Sequence, residues 1–252
     1  MNTVVIDCFP ESAIRYRSGF AVVAIDVVRA TTTTITALAT GRRCFPVPTL
    51  EQALETAARL EDPLLVGEQR GEIPPGFHIN NSPSLIQSRT DVERPAVLLS
   101  SSGTRLCEGA ALCDAAYVAC LRNYAATAEH LAMRFPSIAV IGAGNYGEFR
   151  EEDQMCCAWL ADCLMDLGYA AGDRNTLDLV HAWRNQPADA WAGNKSANYL
   201  RNSGQLYDLD FILAHIGDLS IPCAIIGGEV VAEASSIPAS VRTEEVGTRD
   251  VR

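Results

Sequence analysis

Between Val22 and Ala39 an apolar strand stops at Asp26 and gives way to a helix opened by Arg29 and four threonines, Thr31 to Thr34. Such a strand-to-helix junction belongs to open α/β sheets, where ligands sit beyond the carboxyl ends of the strands. It sets an anion-avid Arg, a metal-avid carboxylate and a hydroxyl-rich helix N-terminus at one strand end. That set suits a phosphate ester and its metal ion. The plainer purpose of the same residues is helix capping, with Thr31 at the N-cap and Asp26 exposed in a turn.

The alternation continues along the chain. Short apolar runs predict strands at Thr3 to Ile6, Ala21 to Ile25, Leu64 to Val66, Ala96 to Ser100, Ala115 to Val118, Ile138 to Ile141 and Ala224 to Ile226. Helical spacing predicts helices over Thr32 to Thr40, Leu50 to Leu60, Ala125 to Arg134 and Glu152 to Leu167, with Thr49 and Asn123 as caps. The pattern predicts a three-layer α/β/α fold with a largely parallel or mixed sheet. The expectation is a single domain over residues 1–252, or two α/β halves that divide near Asn123 and flank a cleft. Arg184 to Asn202 reads as a helix beside that cleft, and Pro238 to Arg252 as a polar, frayed tail.

The chain has 252 residues, 48% hydrophobic and 20% charged, with a net charge of -11 and Lys195 as its single lysine. A nucleic-acid partner is therefore not expected, since phosphate backbones are held mainly by clustered Lys and Arg. An anionic small molecule would need local neutralisation by arginines or a divalent cation, for which Mg²⁺ is the natural choice. No signal-like start and no apolar run of about 18 residues is visible, so a cytoplasmic location and no membrane contact are expected. The nine cysteines form no C-x-x-C pair and the four histidines no catalytic signature, which makes most cysteines reduced core residues.

Besides the Asp26 strand end, three loops carry the polar chemistry, and the strand ends at Asp26, Ser100 to Arg105 and Gly142 to Asp153 are expected to face one cleft. Gly67 to Pro83, with three Gly and three Pro and no periodicity, is long for a compact domain and reads as a lid or binding element holding Glu68, Arg70, Asn81 and Ser82. Ser100-Ser101-Ser102-Gly103-Thr104-Arg105 follows an apolar strand and offers backbone N–H groups, hydroxyls and a guanidinium to an oxyanion. Gly142 to Gly147 matches G-x-G-x-x-G after a strand, but Glu148, Glu151, Glu152 and Asp153 crowd the helix start where a pyrophosphate would lie. With Asp26, those carboxylates make an oxygen-only set suited to Mg²⁺.

These motifs resemble the 2-phosphosulfolactate phosphatases of coenzyme M biosynthesis. The likeness rests on Ile25-Asp26-Val27-Val28-Arg29-Ala30-Thr31-Thr32-Thr33, then Gly67-Glu68, Arg70-Gly71, Gly76-Phe77 and Asn81-Ser82-Pro83. It continues through Gly103-Thr104-Arg105, Asn123, the Gly144 to Gly147 loop and Glu152-Asp153, with a weaker match at Ser196, Gly204, Asp208 and Pro222. Three positions depart from the family's usual residues: Ser102 for Asn, Asn80 for Gly, and Arg150 for a small hydroxyl residue.

The resemblance implies Mg²⁺-dependent hydrolysis of a small phosphate monoester, 2-phosphosulfolactate giving sulfolactate and phosphate. Asp26, Glu152 and Asp153 would hold the metal. Asp26, Arg29, Glu68 and Arg105 form the catalytic set, and Ser101, Ser102, Gly103, Thr104, Asn81 and Ser82 the phosphate-binding set. Arg70 would receive a sulfonate. Either a water or an Asp carboxylate serves as nucleophile, and a homo-oligomer is compatible with all of this. Two other classes stand beside it: a nicotinamide-binding oxidoreductase using Gly142, Gly144 and Gly147, and a non-catalytic anion-binding module.

Overall fold

The computed structural model describes residues 1–145 and 147–233. Its strands are β1 (Thr3–Cys8), β2 (Ala21–Ile25), β3 (Cys44–Val47), β4 (Leu64–Gly67), β5 (Ala96–Leu99), β6 (Ala115–Ala119), β7 (Ser137–Gly142), β8 (Ala170–Ala171), β9 (Cys223–Ile226) and β10 (Glu229–Ala232). The helices are α1 (Ala30–Ala39), α2 (Leu50–Ala57), α3 (Pro83–Ser88), α4 (Gly103–Ala110), α5 (Tyr124–Ala132), α6 (Glu151–Asp166), α7 (Arg174–Trp183), α8 (Lys195–Asn202) and α9 (Leu206–Ala214), with a 3₁₀ turn at Pro10–Tyr16. The tail expected at Pro238 to Arg252 lies outside the described residues.

All ten strands join one mixed sheet, ordered β4-β5-β3-β10-β9-β6-β2-β7-β1-β8. Two blocks are parallel, β4-β5-β3 and β6-β2-β7-β1-β8. The β9–β10 hairpin runs antiparallel to both and stitches them together. Its two-residue turn needs a left-handed backbone at both positions, and Gly227 and Gly228 supply it at φ 59 and 84. Residue 123 falls inside the larger block, between β6 and β7.

Helices cover both faces, as the alternation predicts. Val23, Ile25, Tyr117, Ala119, Ile138 and Val140 point to one side, where Leu131, Met155, Leu160 and Leu164 of α5 and α6 pack. Val22, Ala24, Val118 and Ile141 point to the other, against Ile35 of α1 and Leu106 and Cys107 of α4. Strands buried on both faces read as unbroken apolar runs, which is why β2, β5 and β7 stood out.

Helix α1 is buried from Ala30 to Ala37, so it shows no amphipathic stripe. A Thr-rich helix tolerates this because four of its five hydroxyls find acceptors nearby, the buried Thr33 hydroxyl being the exception among the described residues. Thr31, Thr32, Thr34 and Thr36 donate to the carbonyls of Asp26, Val27, Ala30 and Thr32 at 2.7–2.9 Å. The expected hydroxyl-rich phosphate cradle at this helix start is therefore corrected: these hydroxyls face the protein. Thr31 is also not the N-cap. It is the second residue of α1, two past the Arg29 N-cap, and its Oγ1 accepts the Asp26 N–H at 2.9 Å.

Thr49 caps α2 by accepting the Gln52 N–H. Asn123 stands at the N-cap of α5 without a capping bond. Its side chain instead accepts the Cys120 N–H and donates to the Ile221 carbonyl, both at 3.0 Å, tying β6 to the segment before β9. The segment 184–202 is helical only from Lys195; turns fill the stretch before it.

Candidate active site

Asp26 follows β2, Glu68 follows β4, Ser100 to Ser102 follow β5, and Gly144 and Asn145 follow β7. All four strand ends open on one cleft of about 220 Å³, whose wall also carries Arg29, Arg70, Asn81, Arg150, Glu152, Asp153, Lys195, Ser196 and Tyr199. The sheet order separates β4 and β5 from β2 and β7, and α1, which packs on β3, β5, β6 and β10, spans the two blocks between these ends.

Asp26, Glu152 and Asp153 are 8%, 1% and 3% exposed. Asp153 clips two loops to each other: Oδ1 accepts the Val27 N–H at 2.8 Å and Oδ2 the Gly144 N–H at 3.2 Å. Glu152 accepts from Nδ2 of Asn194 at 2.6 Å, and the Ser196 side chain beside it on the cleft wall favours its ionised form. Burial pushes Asp26 up to about 7, and the carboxylates of Glu152 and Glu68 add to the rise. Burial also raises Glu152 and, with Asp26 and Glu152 contributing, raises Asp153 well above the carboxylate range.

No described Lys, Arg or His forms an ion pair with any of the three. Buried like charges of this kind are costly unless a cation joins them. Among the described residues no three His, Cys, Asp and Glu side chains are disposed to hold a metal by themselves. An oxygen-only set of few carboxylates beside open space fits Mg²⁺, which keeps waters and substrate oxygens in its shell.

The other predicted residues divide. Glu68 accepts the Gly71 N–H at 2.7 Å and both the N–H and hydroxyl of Ser101, at 2.8 and 2.9 Å. Ser101 lines the cleft, but these donors are engaged by Glu68. Ser102 and Asn81 also reach the wall. Gly103, Thr104 and Ser82 do not line it. Gly103 packs on Asp26, where a Cβ would overlap the carboxylate and lie 2.6 Å from the Ala30 methyl. The Thr104 hydroxyl donates to the Ser100 carbonyl at 2.9 Å, and Ser82 caps α3.

Arg105 is displaced from the expected phosphate site. It is exposed on α4 and lines an adjoining hollow with Phe9, Glu11 and Gly147, which shares Ser101, Ser102, Gly144 and Asn145 with the cleft. Arg70 lies on the cleft wall at the tip of a turn whose Gly71 carbonyl accepts from the Tyr199 hydroxyl at 3.3 Å. Of the three departures, Ser102 and Arg150 line the cleft, Arg150 bonding Glu148 at 2.7 Å. Asn80 donates to Gln205 at 3.1 Å.

Sequence reasoning assigned no role to the C-terminal helices, yet they supply Asn194, Ser196, Gln205 and Asp208 to the carboxylates and to Arg29. The weak match at Ser196 and Asp208 was the only signal. The Gly142 to Gly147 loop does not favour a dinucleotide: Asp153 takes the Gly144 N–H, and Glu151 to Asp153 fill the first turn of α6.

The sequence profile of a family described as 2-phosphosulpholactate phosphatase matches residues 8–221. A probable 2-phosphosulfolactate phosphatase of Symbiobacterium thermophilum is 33% identical over 227 residues, which are 85% of this chain and 94% of the relative. Similarly described proteins of Clostridium tetani and Clostridium acetobutylicum are 34% and 32% identical over 146 residues, 57% of this chain and 63% and 62% of theirs. Among the described residues no helix is long and apolar enough to cross a membrane.

Proposed function

This chain belongs to the 2-phosphosulpholactate phosphatase family, and from that premise we propose that it is a Mg²⁺-dependent phosphoric monoester hydrolase whose substrate is 2-phosphosulfolactate. Water adds to phosphorus, the P–O ester bond breaks, and the proton passes to the leaving alkoxide, giving sulfolactate and inorganic phosphate. The observation that carries the metal part is the buried cluster of Asp26, after β2, and Glu152 and Asp153, in the first turn of α6, none of which forms an ion pair among the described residues.

One or two of those carboxylates, with waters and phosphoryl oxygens completing the shell, would hold the ion, which would supply charge neutralisation to the phosphoryl oxygens. Asp153 fixes the β2 and β7 loops relative to each other through its two backbone contacts. Arg29 faces the cleft and orients the phosphoryl group. Glu68 holds Ser101 and the Arg70 turn in place. Arg70, with no described acidic partner, is placed to receive the second anionic group of a sulfonated substrate. The nucleophile is a water, with Asp26 serving the metal; a phosphoenzyme trapped by rapid quench would overturn that choice.

The test is phosphate release from a panel of phosphorylated hydroxy acids with Mg²⁺ and with EDTA. Release confined to Mg²⁺ and highest for 2-phosphosulfolactate is expected. Undiminished release after chelation would remove the metal from the reaction. An Arg70→Ala enzyme should raise KM for the sulfonated ester with little change for a non-sulfonated one.

A further inference from the structure

Arg29 is held from behind by the start of α9. Its Nη1 donates to Oδ2 of Asp208 at 2.6 Å and also to Oε1 of Gln205. Asp208 is fully buried, and its Oδ1 accepts from the Ser82 hydroxyl at 2.6 Å and the Ser84 N–H at 3.2 Å. Gln205 accepts from Asn80 at 3.1 Å and donates to the Ser203 hydroxyl at 2.7 Å. Both acceptors are thus fixed by further bonds to the long loop and to the α8–α9 turn. Among the described residues no acceptor meets Nε or Nη2 of Arg29, while the residue lines the cleft.

A guanidinium is planar and rigid, so anchoring one nitrogen in its plane by two acceptors sets the direction of the remaining N–H groups. A buried Arg could be neutralised by a carboxylate on any side. Here the carboxylate and the amide both sit on Nη1, which leaves the rest of the fork for a ligand.

We propose that Asp208 and Gln205 are positioning residues that aim Arg29 at the phosphoryl group. The inference rests on the cleft taking a phosphate ester, as argued above. It assigns the α8–α9 segment a share in catalysis although neither side chain meets the substrate.

The experiment is a double-mutant cycle on the full chain with Asp208→Asn, Arg29→Ala and both together. Two quantities are read on all four proteins: kcat/KM for 2-phosphosulfolactate, and calorimetric affinity for inorganic phosphate with Mg²⁺ present. Asp208→Asn keeps acceptors for Ser82 and Ser84 but can turn an amide N–H toward Arg29. It should lower kcat/KM by about 10- to 100-fold, mainly in kcat, as losses of orienting partners do. In the Arg29→Ala background the same change should cost less than twofold in kcat/KM and in phosphate affinity.

Additive losses would assign Asp208 a purely structural role and overturn the proposal, as would an Asp208→Asn enzyme equal to the wild type. Should Asp208→Asn fail to fold, Gln205→Leu replaces it in the same cycle, with a loss of threefold or more that disappears without Arg29. Wild-type protein that binds phosphate with the coupled pattern but hydrolyses no ester would sink the hydrolase reading and leave the positioning role standing. Wild-type protein that binds no phosphate would end the positioning role.

Discussion

Asp26 brings the electrostatics of the cleft to a single testable residue. Its carboxyl is buried and pushed up to about 7 from an ordinary 3.8. Between those values the metal-free folded state binds more protons than the unfolded chain, so stability falls as pH rises, and the whole penalty is present above about 7. Asp26→Asn removes that penalty. The metal-free variant should melt higher than wild type at alkaline pH, with the gap shrinking as pH falls from about 7 towards 3.8. With Mg²⁺ present the order should reverse, and kcat should drop by roughly 10²- to 10³-fold, the scale for losing one electrostatic contributor. A metal-free variant less stable than wild type at every pH would contradict the assignment. The carboxylates themselves were legible because they end a strand and open a helix. Arg105 was not placed correctly, because adjacency to Gly103 and Thr104 says nothing of azimuth. Successive helical side chains diverge by about 100°, so Gly103 meets Asp26, Thr104 turns inward and Arg105 faces the neighbouring hollow.

Helix α4 shows how an element can depend on the absence of a side chain. Gly103 opens it, and in an exposed helix replacement by Ala adds up to about 1 kcal/mol of stability. At this position a Cβ would overlap the Asp26 carboxylate and crowd Ala30. Gly103→Ala should therefore reverse the usual sign, lowering the urea midpoint and reducing kcat at least tenfold by displacing Asp26. A stabilised, fully active variant would show that the approach of α4 to β2 is not needed. Elements with strong local signals were legible: β2 matches its predicted span, and α6 is shifted by one residue. Those without them were missed. Pro46 cannot donate to a ladder and discourages a strand, yet β3 forms because its pairing with β10 is confined to Cys44 while β5 pairs along its whole length. Strand β8 has only two residues and exists because Ala170 and Ala171 meet β1, a tertiary fact. The Gly227-Gly228 turn was a readable hairpin signal that the prediction passed over.

The site as a whole is assembled by long-range closure. Strand ends from both parallel blocks form its floor, and α8 and α9 close it from the far end of the chain by holding Glu152 and Arg29. The meeting of the Asp26, Ser100 to Ser102 and Gly144 to Asp153 strand ends follows from the carboxyl-end rule, whereas no local pattern brings α8 and α9 to them, which explains why the carboxylates were found and their supports were not. The charge balance at this scale has a kinetic consequence. Within the cleft Arg29, Arg70, Arg150 and Lys195 are matched by Asp26, Glu68, Glu152 and Asp153, while Asp208 and Glu148 pair with three of those cations. No excess of positive charge projects outward to attract an anion, whereas the chain carries a net -11. An approaching phosphate ester therefore meets long-range repulsion, felt over about 30 Å at 0.01 M salt and only about 8 Å at 0.15 M. Raising salt across that range at saturating Mg²⁺ should increase kcat/KM several-fold and leave kcat unchanged, because only the encounter is affected. Stopped-flow or initial-rate measurements with an inert 1:1 salt decide the matter. A fall in kcat/KM with salt would mean that the cleft cations and the bound metal steer the substrate in spite of the acidic surface.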